Sequence, residues 1–291
     1  TRRSFDSEEL LEAHCSRAEE LGLSGFAITD HCDVNLQPLS EAVKIVAGSA
    51  ADVRRLREGC SAEILTGVEL GEPLEDPAYA EEILALEPYD VVLGSIHNLP
   101  GMEDFSQFDY TFRDLEALLK PYYEELIRLA QWGKCDVITH ITYPLRYMAG
   151  DYGRKVDLAP YGDLIDELFR TIIQKGLVLE INSSGLRQKL GRSMPDEPLL
   201  RRYYQLGGRR ISFGSDAHRA ADLAAGIPEC METARRIRAL DADVVLIFIT
   251  NMAQYAIRGY SVGALDYVLK PVPYFAFSQQ LLKAVARLEK R

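Results

Sequence analysis

Eight short apolar runs, rich in β-branched residues, recur along the chain with amphipathic helical stretches between them. Runs that are apolar on both faces are typical of strands in a parallel sheet that helices cover on both sides. The pattern therefore predicts an α/β fold made of eight βα-type units. The predicted strands are residues 25–29, 63–70, 90–97, 136–141, 176–181, 210–215, 244–250 and 266–271.

The stretches between these runs carry the signals of helix ends. We predict Ser7 as the N-cap of the first helix and Gly22 as its C-terminal stop, because a serine hydroxyl can accept from an unpaired backbone N–H and glycine adopts the left-handed conformation at low cost. Pro121 interrupts the stretch LEALLKPYYEELIRLAQWG. A proline inside a helix removes a hydrogen bond, so we expect a kink or a break there.

Charge and cysteine content limit the possible partners and the compartment. The 291 residues carry a formal net charge of -11, which leaves no excess of cations for binding nucleic acid or an anionic membrane. The five cysteines form no CxxC pair, and no apolar run is long enough to cross a bilayer. With no recognisable signal peptide, these features predict a cytoplasmic protein with free thiols that acts on a small molecule.

Four of the five histidines occur at the C-terminal ends of predicted strands, and two acids occur at the same kind of place. In a parallel βα barrel these ends meet on one face, where ligands bind. Imidazole and carboxylate groups are ligands for Zn, Mn or Fe, and burying so many ionisable groups without a cation would be costly. The pattern therefore predicts a metal site formed by His31, Glu69, His97, His140, Asp216 and His218.

A lone histidine is more often a structural residue than a ligand, and His14 fits that description. It lies on the first predicted helix between Leu11 and Ala18, at the edge of an apolar face. Cys32 follows His31 directly, so its side chain is expected to point elsewhere. We predict structural roles for both residues.

The motifs ITDH, GVEL, GSIH, ITH and GSDAH, in this order, resemble those of the polymerase and histidinol phosphatase (PHP) family. LEINSSGLR and GSIHNLPGMEDF are similar to the histidinol-phosphatases within it. The resemblance covers about residues 1–228. It implies a distorted barrel of seven parallel strands with divalent ions at its C-terminal face.

The resemblance also implies which residues hold each ion. Glu69 would bridge two metals, and His97 and His140 would complete the second of them. The third metal would be held by His31 and His218, with Asp6 at a further ligand position. Asp216 would serve the first metal. The family's first strand ends in a His-x-His-Thr motif, and Thr1 matches its threonine, so this sequence lacks both histidines and we expect two or three ions and impaired activity.

The activity that the resemblance implies is hydrolysis of L-histidinol phosphate to L-histidinol and phosphate, in histidine biosynthesis. Metal ions activate the attacking water and neutralise the phosphoryl oxygens, while Asp216 or His218 would protonate the departing alkoxide. Arginine forks suit phosphate oxygens. The candidate substrate-binding residues are Arg187, which we favour, Arg219 and Arg146.

Residues 229–291 differ from the rest in that bases outnumber acids. They resemble the second half of a receiver domain of the kind that precedes LytTR DNA-binding domains, and FIT and GALDYVLKP carry the match. Thr250 would be the switch hydroxyl and Lys270 the phosphate-contacting lysine. The phospho-acceptor aspartate belongs to the first half of such a domain, so neither signalling through an aspartyl phosphate nor DNA binding is expected.

Two arrangements of this last segment remain open. From the count of eight strands we hypothesise that its strands, residues 244–250 and 266–271, complete the barrel in place of the missing first strand. They could instead form a separate layer that leaves the strand at 25–29 as an open edge, and an open edge favours a homodimer. The alternative functions are a non-catalytic recombined βα scaffold that retains metal ligands, and a nuclease acting on DNA ends, which the acidic balance disfavours.

Overall fold

The computed structural model describes residues 1–239 in full and the backbone of residues 247–250 and 266–269. The α-helices in this part of the chain are α1 (Leu11–Leu21), α2 (Leu39–Leu56), α3 (Pro77–Leu84), α4 (Glu116–Trp132), α5 (Gly162–Lys175), α6 (Glu197–Gln205) and α7 (Ile227–Ala239). The strands are β1 (Gly25–Ile28), β2 (His31–Asp33), β3 (Glu63–Gly71), β4 (Val91–Ser95), β5 (Val137–Ile138), β6 (Val178–Asn182), β7 (Ile211–Gly214), β8 (Ile247–Thr250) and β9 (Asp266–Leu269).

Seven of these strands form one parallel sheet in the order β1-β3-β4-β5-β6-β7, with β2 also paired to β3. The long strand β3 is the centre of this arrangement. Its first residues pair with β1 and its last residues pair with β2, so that Glu69 lies opposite His31. On its other side β3 pairs with β4, where Glu69 lies opposite Leu93. The α/β prediction is confirmed.

Each of the eight predicted strands has a counterpart in the structure. Strand β5 is shorter than its predicted range and pairs through two residues only. Strand β2 was not predicted, because its sequence His-Cys-Asp is polar and follows two polar residues without an apolar run.

Strands β8 and β9 form a parallel two-stranded sheet of their own, separate from the seven-stranded sheet. The prediction that they complete the barrel is therefore wrong. Their described backbone groups pair with each other, and in the described residues β1 pairs only with β3. Lys270 and the side chain of Thr250, to which receiver-like roles were assigned, lie outside the described part of the chain.

Of the three predictions about helix ends and breaks, one is confirmed and two are wrong. Gly22 ends α1 with φ +63°, as predicted. Ser7 is not its N-cap, because α1 begins at Leu11 and the Ser7 hydroxyl donates instead to the carbonyl of His218 at 2.8 Å. Pro121 does not divide α4, which runs through it. Pro121 lies near the start of α4, and buried tyrosines directly after it hold the helix against the core.

The main core lies between the sheet and its helices. Leu70, Ile138 and Leu179 project from the strands, and Leu126 and Phe169 project from the helices, all without exposed surface. Burying each such side chain contributes about 1.5–3 kcal/mol. The strands that carry the candidate ligands are therefore held in a rigid frame.

Helix α7 joins this same core through Cys230 and Ile237, which are 2% and 6% exposed. The predicted boundary between residues 1–228 and 229–291 thus falls within a helix that packs against the main sheet's core. No described helix has both the length and the apolarity that crossing a bilayer requires.

Candidate metal centre

The predicted ligands lie at the C-terminal ends of neighbouring strands. Glu69 is near the end of β3, His97 follows β4 by two residues, and His140 follows β5 by two residues. Asp216 follows β7 by two residues and His218 follows it by four. Because parallel strands present these ends at one edge, side chains distant in the sequence meet there.

The inner group consists of Glu69, His97 and His140. Glu69 Oε1 lies 3.3 Å from Nε2 of His97 and 3.2 Å from Nε2 of His140. The two imidazole rings have centroids 5.2 Å apart. These three side chains are only 10%, 9% and 5% exposed. One carboxylate oxygen and two ring nitrogens therefore face the same small buried space.

The outer group consists of Asp6, His31 and His218. Asp6 Oδ2 lies 2.6 Å from Nε2 of His218 and 3.6 Å from Nε2 of His31. The side chains of Asp6 and His218 are 27% and 35% exposed, so this group is more open to solvent. His31 connects the groups, because its Nε2 also lies 3.9 Å from Glu69 Oε2.

Two buried acids that were not predicted as site residues contact the far side of these histidines. Asp33 Oδ1 lies 3.3 Å from Nδ1 of His31, and Glu72 Oε1 lies 3.5 Å from Nδ1 of His97. A carboxylate on the second ring nitrogen fixes the orientation of a ligating histidine. Together with His31 and His97, Asp33 forms a third set of groups close enough to hold an ion.

The donor set fits divalent metal ions. The ligand atoms of each of the three sets lie within 4.8 Å of one another. Buried carboxylates crowd around the imidazoles, and Nδ1 of His140 is buried without a hydrogen-bond partner in the described residues. Burial acts to raise the pKa of Glu69, but the surrounding histidines outweigh it and hold that pKa well below its usual range. Glu69 is therefore a carboxylate in this pocket, as a metal ligand must be.

A comparison with protein families identifies the origin of this arrangement. The PHP domain model matches residues 1–184, which include the inner group and most of the sheet. The chain belongs to the PHP domain family.

Named relatives of this PHP domain extend over most of the chain. It is 30% identical over 217 residues to a protein named probable histidinol-phosphatase from Clostridium acetobutylicum, which covers 74% of this chain and 82% of that protein. A protein of the same name from Thermotoga maritima is 26% identical over 245 residues, covering 80% of this chain and 88% of the relative.

A solved structure supports the same fold. The histidinol phosphate phosphatase of Lactococcus lactis, complexed with zinc, L-histidinol and phosphate, superposes with a TM-score of 0.70 at 22% identity. The match covers 81% of this chain and 90% of that one. The predicted PHP-type distorted parallel barrel is confirmed, and in this chain it is a curled half-barrel.

Asp216 lies beside both groups of this PHP domain but belongs to none of the three metal-competent sets in the described residues. Its Oδ2 lies 3.1 Å from the guanidinium of Arg146, and its Oδ1 lies 3.7 Å from Nδ1 of His218. Its backbone has φ +50°, a conformation that aspartate adopts more readily than most residues. Asp216 is thus held between a cation and the outer group.

The three predicted substrate-binding arginines have different surroundings. Arg146 is largely buried, ion-paired to Asp216, and lies over the ring of Tyr143 at 5.6 Å. Arg187 donates to the carbonyls of Ser215 and Asp216, both at 2.6 Å. Arg219 is exposed. The donors of Arg187 are therefore occupied with holding the backbone that leads to His218.

Two residues outside the three sets complete the comparison with the sequence. His14 is 3% exposed, with Nδ1 3.2 Å from the carbonyl oxygen of Leu10, and has the structural surroundings that were predicted. Glu180 is a buried acid that was quoted in LEINSSGLR but given no role. Its signal in the sequence was an ionisable residue between Leu179 and Ile181 inside an apolar strand.

Proposed function

We propose that the chain is a metal-dependent phosphomonoesterase of the histidinol-phosphatase type, which hydrolyses L-histidinol phosphate to L-histidinol and phosphate in the cytoplasm. The observation that carries this proposal is the position of Glu69, whose carboxylate faces three histidines at the strand ends of a PHP domain. The named relatives, which match most of this chain, support the choice of substrate.

The proposal assigns the ions to the groups already described. One ion, Zn, Mn or Fe, would be held by the inner group and another by the outer group. A third ion would be held by Glu69 and Asp216. When bound, such ions neutralise phosphoryl oxygens and activate the attacking water.

The residues of the chain would bind the substrate and supply the proton. Arg146 would donate to phosphate oxygens, and the position of its guanidinium at the strand ends, 3.1 Å from Asp216, supports this assignment. His218 and Asp216 are the proposed proton donors for the leaving alkoxide. The exposed Arg219 completes the proposed substrate-binding residues, whereas Arg187, which the sequence favoured, would act by holding the backbone at Ser215 and Asp216.

The test is phosphate release from L-histidinol phosphate by the purified chain supplied with Zn²⁺, Mn²⁺ or Fe²⁺. We expect turnover that chelators abolish and that exceeds turnover of p-nitrophenyl phosphate in kcat/KM. Cleavage of DNA ends without phosphate release would support the nuclease alternative. Bound metal with no turnover of any of these substrates would support the non-catalytic scaffold.

The substrate-binding assignment is tested separately from the metal site. Arg146→Met is expected to raise KM for L-histidinol phosphate about tenfold or more, because a charged hydrogen bond contributes about 1.5–3 kcal/mol. Bound metal should stay at the wild-type level. An unchanged KM for Arg146→Met would contradict the proposed contact.

We also propose that residues 1–228 are the catalytic unit and that residues 229–291 derive from the second half of a receiver domain. The parallel pairing of β8 with β9, apart from the main sheet, supports a separate origin. The edge strand β1 supports a homodimer. Light scattering of the full chain tests the dimer, and a monomer at micromolar concentration would refute it.

A further inference from the structure

Glu180 is a fully buried acid that belongs to none of the three metal-competent sets in the described part of the chain. It lies in the middle of β6 and is 5% exposed. Its Oε2 accepts the backbone N–H of His140 at 2.9 Å and the side-chain amide of Asn182 at 3.2 Å. A buried carboxylate in an apolar strand is costly, so its contacts indicate what it does.

The contact with His140 falls where the backbone is constrained. His140 has φ +22°, which is unusual for a residue with a side chain. Strand β5 ends at Ile138, so the sheet itself no longer fixes the backbone at His140. The hydrogen bond from the His140 N–H to Glu180 holds the backbone that carries this inner-group imidazole.

On its other side, Glu180 requires a glycine. A Cβ on Gly214 would lie 1.8 Å from Glu180 Oε1, far inside any contact distance. Gly214 is the last residue of β7, two residues before Asp216. The carboxylate therefore fills the space between the ends of β5 and β7, and only glycine at position 214 leaves room for it.

We infer that Glu180 is a positioning residue, seated against Gly214, that fixes the His140 end of the inner group for metal binding. This inference rests on the proposed metal site. Glu180 need not touch the ion or the substrate. It acts on His140 through the backbone, in the way that residues hydrogen-bonded to metal ligands orient those ligands.

The test measures Co²⁺ binding to metal-free protein by visible absorption, which reports ligand geometry. Losing a residue that supports a metal ligand typically lowers metal affinity by about 10–100-fold, and we expect a loss in that range for Glu180→Ala. Glu180→Gln should retain most of the affinity and the wild-type spectrum, because its amide oxygen can still accept the His140 N–H. Asp166→Asn, which removes another buried carboxylate, ion-paired to Arg202, is the matched control and should bind Co²⁺ normally.

Gly214 provides a second and independent test. Gly214→Ala should weaken Co²⁺ binding in the wild-type background, because the new methyl group displaces the carboxylate. In the Glu180→Ala background it should add little, since the clash is gone. Equal losses in both backgrounds, or unchanged Co²⁺ binding by Glu180→Ala, would overturn the inference.

The experiment also separates this inference from the proposed function. Failure of the wild-type chain to bind Co²⁺ would refute the metal site itself. Wild-type binding with equal binding by the variants would refute only the role of Glu180. Thermal unfolding of each metal-free variant identifies any that does not fold. Should Glu180→Ala not fold, Gly214→Ala alone decides, and its unchanged affinity would refute the role.

Discussion

The inner and outer groups of the candidate site use the same kinds of side chain but are held in different ways. Glu69, His97 and His140 are at most 10% exposed and lie at the ends of three adjacent strands of the main sheet. Asp6 and His218 belong to segments before α1 and after β7, and more than a quarter of each side chain is exposed. The sheet therefore sets the geometry of the inner group, whereas the outer group combines His31 of β2 with two residues held by contacts between loops.

This difference leads us to expect tight, slowly exchanging metal in the inner group and weaker, salt-sensitive binding in the outer group. Burial strengthens electrostatic interactions because less water screens them. His31 joins the two groups, since it faces both Glu69 and Asp6. The following four experiments test the comparison.

Glu69→Gln should have the largest effect, because Glu69 faces histidines of both groups. We expect loss of most bound metal and a fall in turnover of about 10³-fold, since metal ions contribute several kcal/mol and each 1.36 kcal/mol is tenfold. Elemental analysis and phosphate release measure these effects. Glu63→Gln, an exposed change on the same strand, is the control. Full metal content in Glu69→Gln would remove the basis for the comparison.

His140→Ala should empty the inner group and leave the outer group largely intact. We expect the loss of one metal equivalent and a fall in turnover of about 10²-fold, corresponding to nearly 3 kcal/mol. His14→Ala removes an equally buried histidine outside the metal-competent sets and should change stability alone. Unchanged metal stoichiometry in His140→Ala would show that the inner group is not a metal site.

Asp6→Asn should weaken only the outer ion. A unit charge at about 4 Å contributes about 1 kcal/mol in water and about 4 kcal/mol near a protein surface, so we expect at least about a fivefold loss of affinity. The loss should shrink at high salt, because exposed charges are screened. Calorimetric titration at two ionic strengths measures it, with Glu8→Gln as an exposed control. A loss that does not depend on salt would mean that the outer group is as enclosed as the inner one.

The smallest expected difference between the two groups is the rate at which a chelator removes their ions. We expect two phases, with the outer ion released first and the thermal unfolding midpoint falling mainly in the second. A ligand at about 100 times its Kd stabilises the fold by about 2.7 kcal/mol, and the tighter inner ion has the larger share of this effect. A single phase would mean that the two ions are released together.

The inner group could be predicted from the sequence, whereas one member of the outer group, Asp6, depended on resemblance. Glu69 lies near the end of an apolar run and His97 and His140 end two others, so the strand pattern alone places them at one edge of the sheet. Asp6 follows no strand, and its position beside His218 depends on loop contacts that no periodicity encodes. Strand β2 was missed for a similar reason, because a short polar segment pairs with β3 only in the tertiary context.

The supporting acids were the hardest to foresee. Glu72 has φ +49°, and this backbone conformation directs its side chain toward His97, a direction that residue spacing does not determine. Glu180 stood out only as an acid within an apolar strand. Likewise, the separate pairing of β8 and β9 could not be predicted from a count of strands, because counting does not reveal which edges meet.

Ser7 and His218, which are joined by a hydrogen bond, are separated by 211 positions in the sequence. The Glu9 carboxylate accepts the backbone N–H of Ala220, and these two residues are also 211 positions apart. During synthesis the ribosome must deliver residue 220 before either contact can form. The inner ligands have all emerged much earlier. An ion can therefore bind to the outer group only after these two distant segments are in contact. Ion binding there would report that this part of the molecule has finished folding.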